Sequence, residues 1–280
     1  MRTDAWGDSI LRADKQLIEL FLVGYNRLVG DKYAVQEWPD ETERLRPAVD
    51  AIAGNARGLT IAIEHSLIQP YFGEKDDTQI FHRVFFPLQT DPSLKFSEYD
   101  IELCPKVGAV PKGVDWDEAG KVIRQWVASE AGRFPVGESV QQIRGLPFEI
   151  NVLVLKSETV LGQVFVGRSG MPETFKTVIR TAFLKKLPKL VSCEASRRIL
   201  LFEEDSTQYG SAQIASIVEA LELEFPHLVT LHEIWVADTV SQESGDLRFC
   251  QVWPGGVTRR VYVRRNPAGT IKVWQRRYGM

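Results

Sequence analysis

One short run, Arg198-Ile199-Leu200-Leu201-Phe202-Glu203, constrains the fold most. It is almost wholly apolar and too short for a core helix, so it reads as a strand covered on both faces, which is how strands in parallel or mixed α/β sheets are buried. Ile214, Ile217, Val218, Leu221 and Leu223 recur at helical spacing within Ser211–Phe225. His232–Ala237 is a second apolar strand. Strand, helix and strand in this order predict a parallel crossover. The chain is therefore expected to be mixed α/β, a central sheet flanked by helices. Leu247–Trp253, Val257–Arg264 and Thr270–Gln275 alternate between Pro/Gly turns and predict an antiparallel meander at the C-terminal end.

Two further runs, Ala48–Ile52 and Leu59–His65, flank Gly54-Asn55-Ala56-Arg57-Gly58. β-branched runs joined by a turn-forming segment predict a hairpin. Asp50 and Glu64 fall inside these runs and are expected side by side on adjacent strands. A carboxylate among core residues is costly unless it is paired or holds a metal. Two convergent carboxylates can hold a hard divalent cation, Mg²⁺ or Mn²⁺, and such an ion can activate water for hydrolysis. The competing reading makes both residues strand-end acceptors, bonded to turn amides or to Arg44, Arg46 or Arg57.

Ahead of the hairpin, an amphipathic helix is expected over 8–29, capped by Asp8 or Ser9 and stopped by Gly30, with Ile10 and Leu11 in its apolar stripe. Glu19 lies among its apolar positions and reads first as a rim residue; the competing reading points it into a site. Tyr33–Trp38 should be a strand that brings Glu37 near the carboxylates. Pro39–Arg46 reads as a loop. Helices are expected over 74–86, ended by Pro87, from Asp115 as N-cap, and over 174–187, ended by Pro188. Strands are expected at 99–103, 148–155 and 163–167, and 132–145 has no clear period.

The order helix, hairpin, helix, then strand–helix–strand resembles the PD-(D/E)xK, or restriction-endonuclease-like, superfamily. Asp50 stands at that family's aspartate and Glu64 at the acidic residue of its next strand. The resemblance covers about residues 8–90 for the motif and, more loosely, 198–237. It implies a restriction-endonuclease-like core and a Mg²⁺-dependent endonuclease, a hydrolase of phosphodiester bonds in DNA or RNA, in a bacterial restriction or defence setting. Asp50, Glu64 and Glu19 would be metal ligands. The family pattern also wants lysine two positions after Glu64, where this chain has Ser66. Lys75 is then the first substitute and Gln69 the second. His65 should face away from Glu64, because strand side chains alternate, and is expected to be a packed or hydrogen-bonded histidine.

Net charge is −3, unevenly spread. From Asp246 onward eight basic residues oppose one acidic residue, so this end carries +7 and the remainder −10. Such asymmetry points to a polyanion partner. Arg259, Arg260, Arg264, Arg265 and Lys272 are the candidate phosphate contacts, with Trp253, Tyr262 and Trp274 available for stacking or for the core. A solvated basic face that balances an acidic body is the competing reading.

A domain over 1–245 with an insertion at about 91–147 is expected, the 246–280 meander packing on it. Three scattered cysteines, Cys104, Cys193 and Cys250, predict reduced thiols. His82, His227 and His232 lack zinc spacing. No phosphate-binding Gly-rich loop, Gly-x-Ser-x-Gly elbow or Rossmann fingerprint is present. With no leader or apolar span, a cytoplasmic location without membrane contact is the expectation, and a homodimer is carried as a partner state. Two alternatives to the nuclease are kept: a catalytically inactive nucleic-acid-binding module of the same fold, and a structural or partner-binding protein.

Overall fold

The computed structural model describes residues 13–42, 47–156, 161–170, 174–204, 209–239, 246–265 and 269–275. Asp8, Ser9, Ile10, Leu11, Arg44, Arg46, Arg276 and Arg277 lie outside them. The chain forms two compact units: Met1–Pro70 with Phe175–Met280, and Tyr71–Thr174. The insertion is thus wider than the expected 91–147. Its edges fall in the Pro70 turn and just before a helix, neither of which changes composition enough to be seen in sequence.

The first unit is built on an eight-stranded mixed sheet. Its strands are β1 (Ala34–Glu37), β2 (Ala51–Gly54), β3 (Thr60–Ile68), β8 (Arg197–Glu204), β9 (Glu233–Asp238), β10 (Asp246–Trp253), β11 (Arg259–Arg265) and β12 (Ile271–Gln275), in that spatial order. β3 pairs with β8, and β8 with β9, in parallel; every other pairing is antiparallel. The predicted crossover and meander are therefore both present, and the meander extends the main sheet.

Helices cover both faces. α1 (Ala13–Val29) ends where Gly30 takes φ 68°, a left-handed stop. The Asn26 side chain then bonds both backbone groups of Tyr33 at 2.8 and 2.7 Å, which sets the turn into β1. Leu17, Ile18, Phe21, Leu22 and Tyr25 of α1 pack on Ile61, Ile63, Trp235 and Phe249 from one sheet face. α6 (Phe175–Ser192) and α7 (Ser211–Leu221) pack on the opposite face against Ala62, Leu200, Phe202, Ile234 and Val236. Odd positions of β3 thus look toward α1 and even positions toward α6, which is the pleat alternation of a strand buried on both sides.

Several boundaries differ from expectation. Pro39–Thr42 is a short helix, α2, with its proline in the first turn, the position a proline tolerates. Pro188 does not end α6; it sits inside it, and the helix runs another turn to Ser192. Leu187 and Leu190 are both buried, so core packing holds the turn that proline weakens.

The second unit has its own core. α3 (Glu74–Val84), the short α4 (Phe86–Gln89) and α5 (Trp116–Glu130) accompany a four-stranded sheet of order β5 (Gly137–Gln142), β6 (Glu149–Leu155), β4 (Asp100–Pro105), β7 (Val164–Val166). Asp115 caps α5 as expected, accepting from the amides of Asp117 and Glu118 at 3.0 and 3.1 Å. Pro87 does not end a helix; it lies in the first turn of α4. β5 carries only one apolar side chain, Val140, so no periodicity signalled it. All three cysteines are free thiols. No helix among the described residues is long and apolar enough to cross a membrane.

A candidate carboxylate–lysine site

The hairpin forms as expected. Asn55 accepts from the amides of Arg57 and Leu59, both at 3.0 Å, and Gly58 supplies the positive φ. The register pairs Ala51 with Ile63 and Ile52 with Ala62, and one step further sets Asp50 beside Glu64. The two residues are stitched together twice. The Asp50 amide donates to Glu64 Oε2 at 3.1 Å, and the His65 amide donates to Asp50 Oδ2 at 2.6 Å.

Glu64 occupies an even position of β3 and so faces α6. It is fully buried, at 0% exposure. Lys186 and Lys189, three residues apart and hence on one helix face, reach its Oε1 from α6 at 2.6 and 2.9 Å. Lys186 Nζ also lies 3.6 Å from Asp50 Oδ2. Asp50 keeps 19% of its side chain exposed, so solvent reaches the pair through it. Two carboxylates against two ammonium groups leave the cluster formally neutral. Burial and the Asp50 charge push the Glu64 carboxyl above its ordinary value, and the Lys186 and Lys189 contacts pull it back without cancelling the rise.

Lys186 and Lys189 were not reached from the sequence. They lie more than a hundred residues from Glu64, across an inserted unit, and the proline between them reads as a helix stop. The signal that was available is the wording Lys185-Lys186-Leu-Pro-Lys189, three ammonium groups beside an apolar helix face with one acidic core position to satisfy.

The other expected site residues fall as follows. Gln69 is half-buried just past the end of β3 and makes no hydrogen bond to Asp50 or Glu64 among the described residues. Lys75 stands exposed in the first turn of α3, in the second unit; the ammonium groups that reach the carboxylates are those of Lys186 and Lys189. Glu19 is exposed on α1, which packs on the sheet face opposite Glu64, so it does not join the pair. Glu37 is exposed at the end of the outermost strand β1. Arg57 pairs with Asp31 and not with the site. His65 points away from Glu64, as alternation requires, and its Nε2 lies 3.0 Å from Glu203.

The basic residues of the meander divide between faces. Partners across a sheet share a face, and the register Ser66–Phe202–Val236–Cys250–Arg260 carries the Glu64 face to β11. Arg260, Arg264 and Lys272 therefore stand on that face, with Tyr262 and Trp274. Arg259 and Arg265 take the other. Tyr262 and Trp274 stack on each other at 5.6 Å, and Arg264 lies over Trp274 while pairing with Asp246. Trp253 is buried in the core, so it is no stacking platform. Four strand spacings separate β3 from β11, about 19 Å.

Among the described residues no group of three or more His, Cys, Asp or Glu side chains could hold a metal ion. An Mg²⁺ site needs fewer: one or two carboxylates, with water and phosphate oxygens completing the shell. Asp50 and Glu64 supply two carboxylates, with both Glu64 oxygens accepting hydrogen bonds, from Lys186, Lys189 and the Asp50 amide. No protein-family model, curated protein or solved structure matches the chain.

Proposed function

We propose that the chain is a metal-dependent nuclease of PD-(D/E)xK type, hydrolysing phosphodiester bonds of DNA or RNA. The observation that carries this reading is the convergence of Asp50, Glu64 and Lys186: Asp50 just before β2 and Glu64 on the adjacent β3, with one ammonium 2.6 Å from Glu64 and 3.6 Å from Asp50. Supporting it is the element order of the first unit, α1, the β2–β3 hairpin, α6 and then β8, α7 and β9; α6 stands where the resemblance reads the 74–86 helix, which lies in the second unit.

Asp50 and Glu64 would hold Mg²⁺ or Mn²⁺. When bound, the ion supplies Lewis-acid stabilisation of the phosphate and a more acidic water. Lys186 fills the role left open by Ser66, orienting water and offsetting charge at the phosphate. Lys189 neutralises Glu64 and keeps it in place, which makes it a positioning residue. Arg260, Arg264 and Lys272 would bind the nucleic-acid backbone on the same sheet face, giving salt-sensitive and sequence-independent affinity.

The test is cleavage of plasmid and single-stranded DNA with Mg²⁺ or Mn²⁺ by the wild-type chain and by Asp50→Ala and Glu64→Ala. Activity that is metal-dependent and lost in both variants fits the proposal; activity that survives both overturns it.

A second reading has its own observation. Glu64 is fully buried and already neutralised by two lysines, which is what a structural clamp between α6 and β3 requires. A catalytically inactive nucleic-acid-binding module would show salt-sensitive binding that depends on Arg260 and Lys272 and ignores Asp50→Ala.

A further inference from the structure

The two faces of the meander are covered differently. On the α1 side, Val261, Val263 and Val273 join the core that holds Phe21, Trp235 and Phe249. On the α6/α7 side the core ends at Trp253 and Val257 and takes in no described residue of β11 or β12. That face nevertheless carries two large aromatic side chains, Tyr262 and Trp274, both half-buried. They are direct register partners, and their rings stack 10° from parallel with centroids 5.6 Å apart.

β12 is the outermost strand of the sheet. Tyr262 and the Arg264 guanidinium, 5.6 Å from the ring centre, both approach the Trp274 indole from β11. The opposite face of the indole is therefore turned toward the open edge. The charge around it is mainly positive. On β10–β12 this face holds Arg248, Arg260, Arg264 and Lys272, against Asp246 paired with Arg264 and Asp238 of β9 paired with Arg248. Lys272 is exposed and stands two residues from Trp274 on the same strand.

An aromatic ring beside cations can take a base on its π-face and the adjoining phosphates on its charges, without regard to sequence. The bases of a duplex are already covered by their stacked neighbours, whereas those of a single strand are open to such a ring. We propose that this face of the meander binds single-stranded nucleic acid, DNA or RNA, with one base stacked on Trp274 and a flanking phosphate on Lys272. The inference rests on the reading of the meander as a nucleic-acid contact, and it narrows that contact to strands with unpaired bases. It does not rest on hydrolysis at Asp50 and Glu64.

Fluorescence anisotropy of the full chain at low salt, in EDTA so that no metal-dependent cleavage intrudes, tests it. The probes are a labelled single strand of DNA, the same sequence as RNA, the DNA duplex, and the DNA strand built with abasic sugars. The wild type should bind a single strand about tenfold or more tighter than the duplex or the abasic strand, although the duplex carries more phosphates. Trp274→Ala should weaken single-strand binding by about 5–150-fold, the effect of losing one base–aromatic stack, and leave binding of the abasic strand unchanged. Trp274→Phe keeps a π-face and should retain most of the affinity. Single-strand binding no tighter than duplex or abasic binding would overturn the proposal and spare the phosphate contacts. So would wild-type affinity in Trp274→Ala, which would leave the Tyr262–Trp274 pair a cross-strand contact of the sheet alone. No binding of any probe would overturn both the proposal and the nucleic-acid reading of the meander.

Discussion

The Lys186 ammonium lies 2.6 Å from Glu64 Oε1 and 3.6 Å from Asp50 Oδ2, so a single helix-borne charge is shared by two carboxylates, one just before β2 and one on the adjacent β3. Under the proposed nuclease function, this relationship makes Lys186 the lysine to test. Lys186→Met should lower the rate of cleavage by about 10²–10³-fold, the usual effect of removing one group that stabilises developing charge. Lys75→Met should leave it unchanged. Initial rates of the two variants under saturating Mg²⁺ check this.

The same contacts make Glu64 a stability element. Glu64→Leu removes the acceptor that Lys189 and Lys186 share, leaving Lys186 only its longer contact to Asp50, and should destabilise the first unit by about 3 kcal/mol. Glu64→Gln keeps an acceptor oxygen and should lose less. Urea unfolding of the three proteins, followed by tryptophan fluorescence, gives the order.

Stability should also depend on pH through Glu64. Its folded carboxyl is held above the ordinary 4.5, chiefly by burial and next by the Asp50 charge. Between those two values the folded chain holds the proton more tightly than the unfolded chain. The contribution is therefore complete below the unfolded value and is lost as pH rises through the folded one. Asp50→Asn removes the second cause, lowers the folded value and narrows the interval. Thermal melts across pH, wild type against Asp50→Asn, should show the smaller pH dependence in the variant.

On the α1 face of the same sheet, Glu233 is 4% exposed and accepts from Tyr25 at 2.9 Å, Arg197 at 2.6 Å and the Trp235 indole at 2.6 Å. Burial and the Glu233 charge push the Tyr25 hydroxyl well above its usual range, so it stays a donor. Glu233→Ala strands three donors and should cost about 3–5 kcal/mol. Tyr25→Phe should cost about 1 kcal/mol. Chemical denaturation midpoints separate the two.

If the meander binds a polyanion, Lys272→Ala should weaken binding about equally for all sequences and reduce the slope of log K against log salt by about one. Fluorescence anisotropy with two unrelated single strands over a salt series measures both quantities.

Much of the first unit was legible in sequence because its elements obey simple periods. The apolar run at Ile199–Phe202, the Asn55/Gly58 turn and the alternating meander each indicated one answer. The pairing of Asp50 with Glu64 followed from the hairpin alone. The lysines did not, because Pro188 reads locally as a helix stop while the buried Leu187 and Leu190 carry the helix past it. Glu19 is the exposed rim residue the sequence favoured; its place near an apolar stripe leaves the site reading open because it says nothing about which sheet face the helix covers. β5 was invisible because an edge strand with one exposed valine needs no hydrophobic pattern; its partner β6 supplies the register.

The most direct measurement is Mn²⁺ binding to the folded chain by isothermal titration calorimetry, with wild type and Asp50→Asn compared at one pH. The account predicts one site in the wild type that is lost in the variant, with the melting profile of a folded protein retained. No binding to the wild type, or equal binding to both, would contradict it.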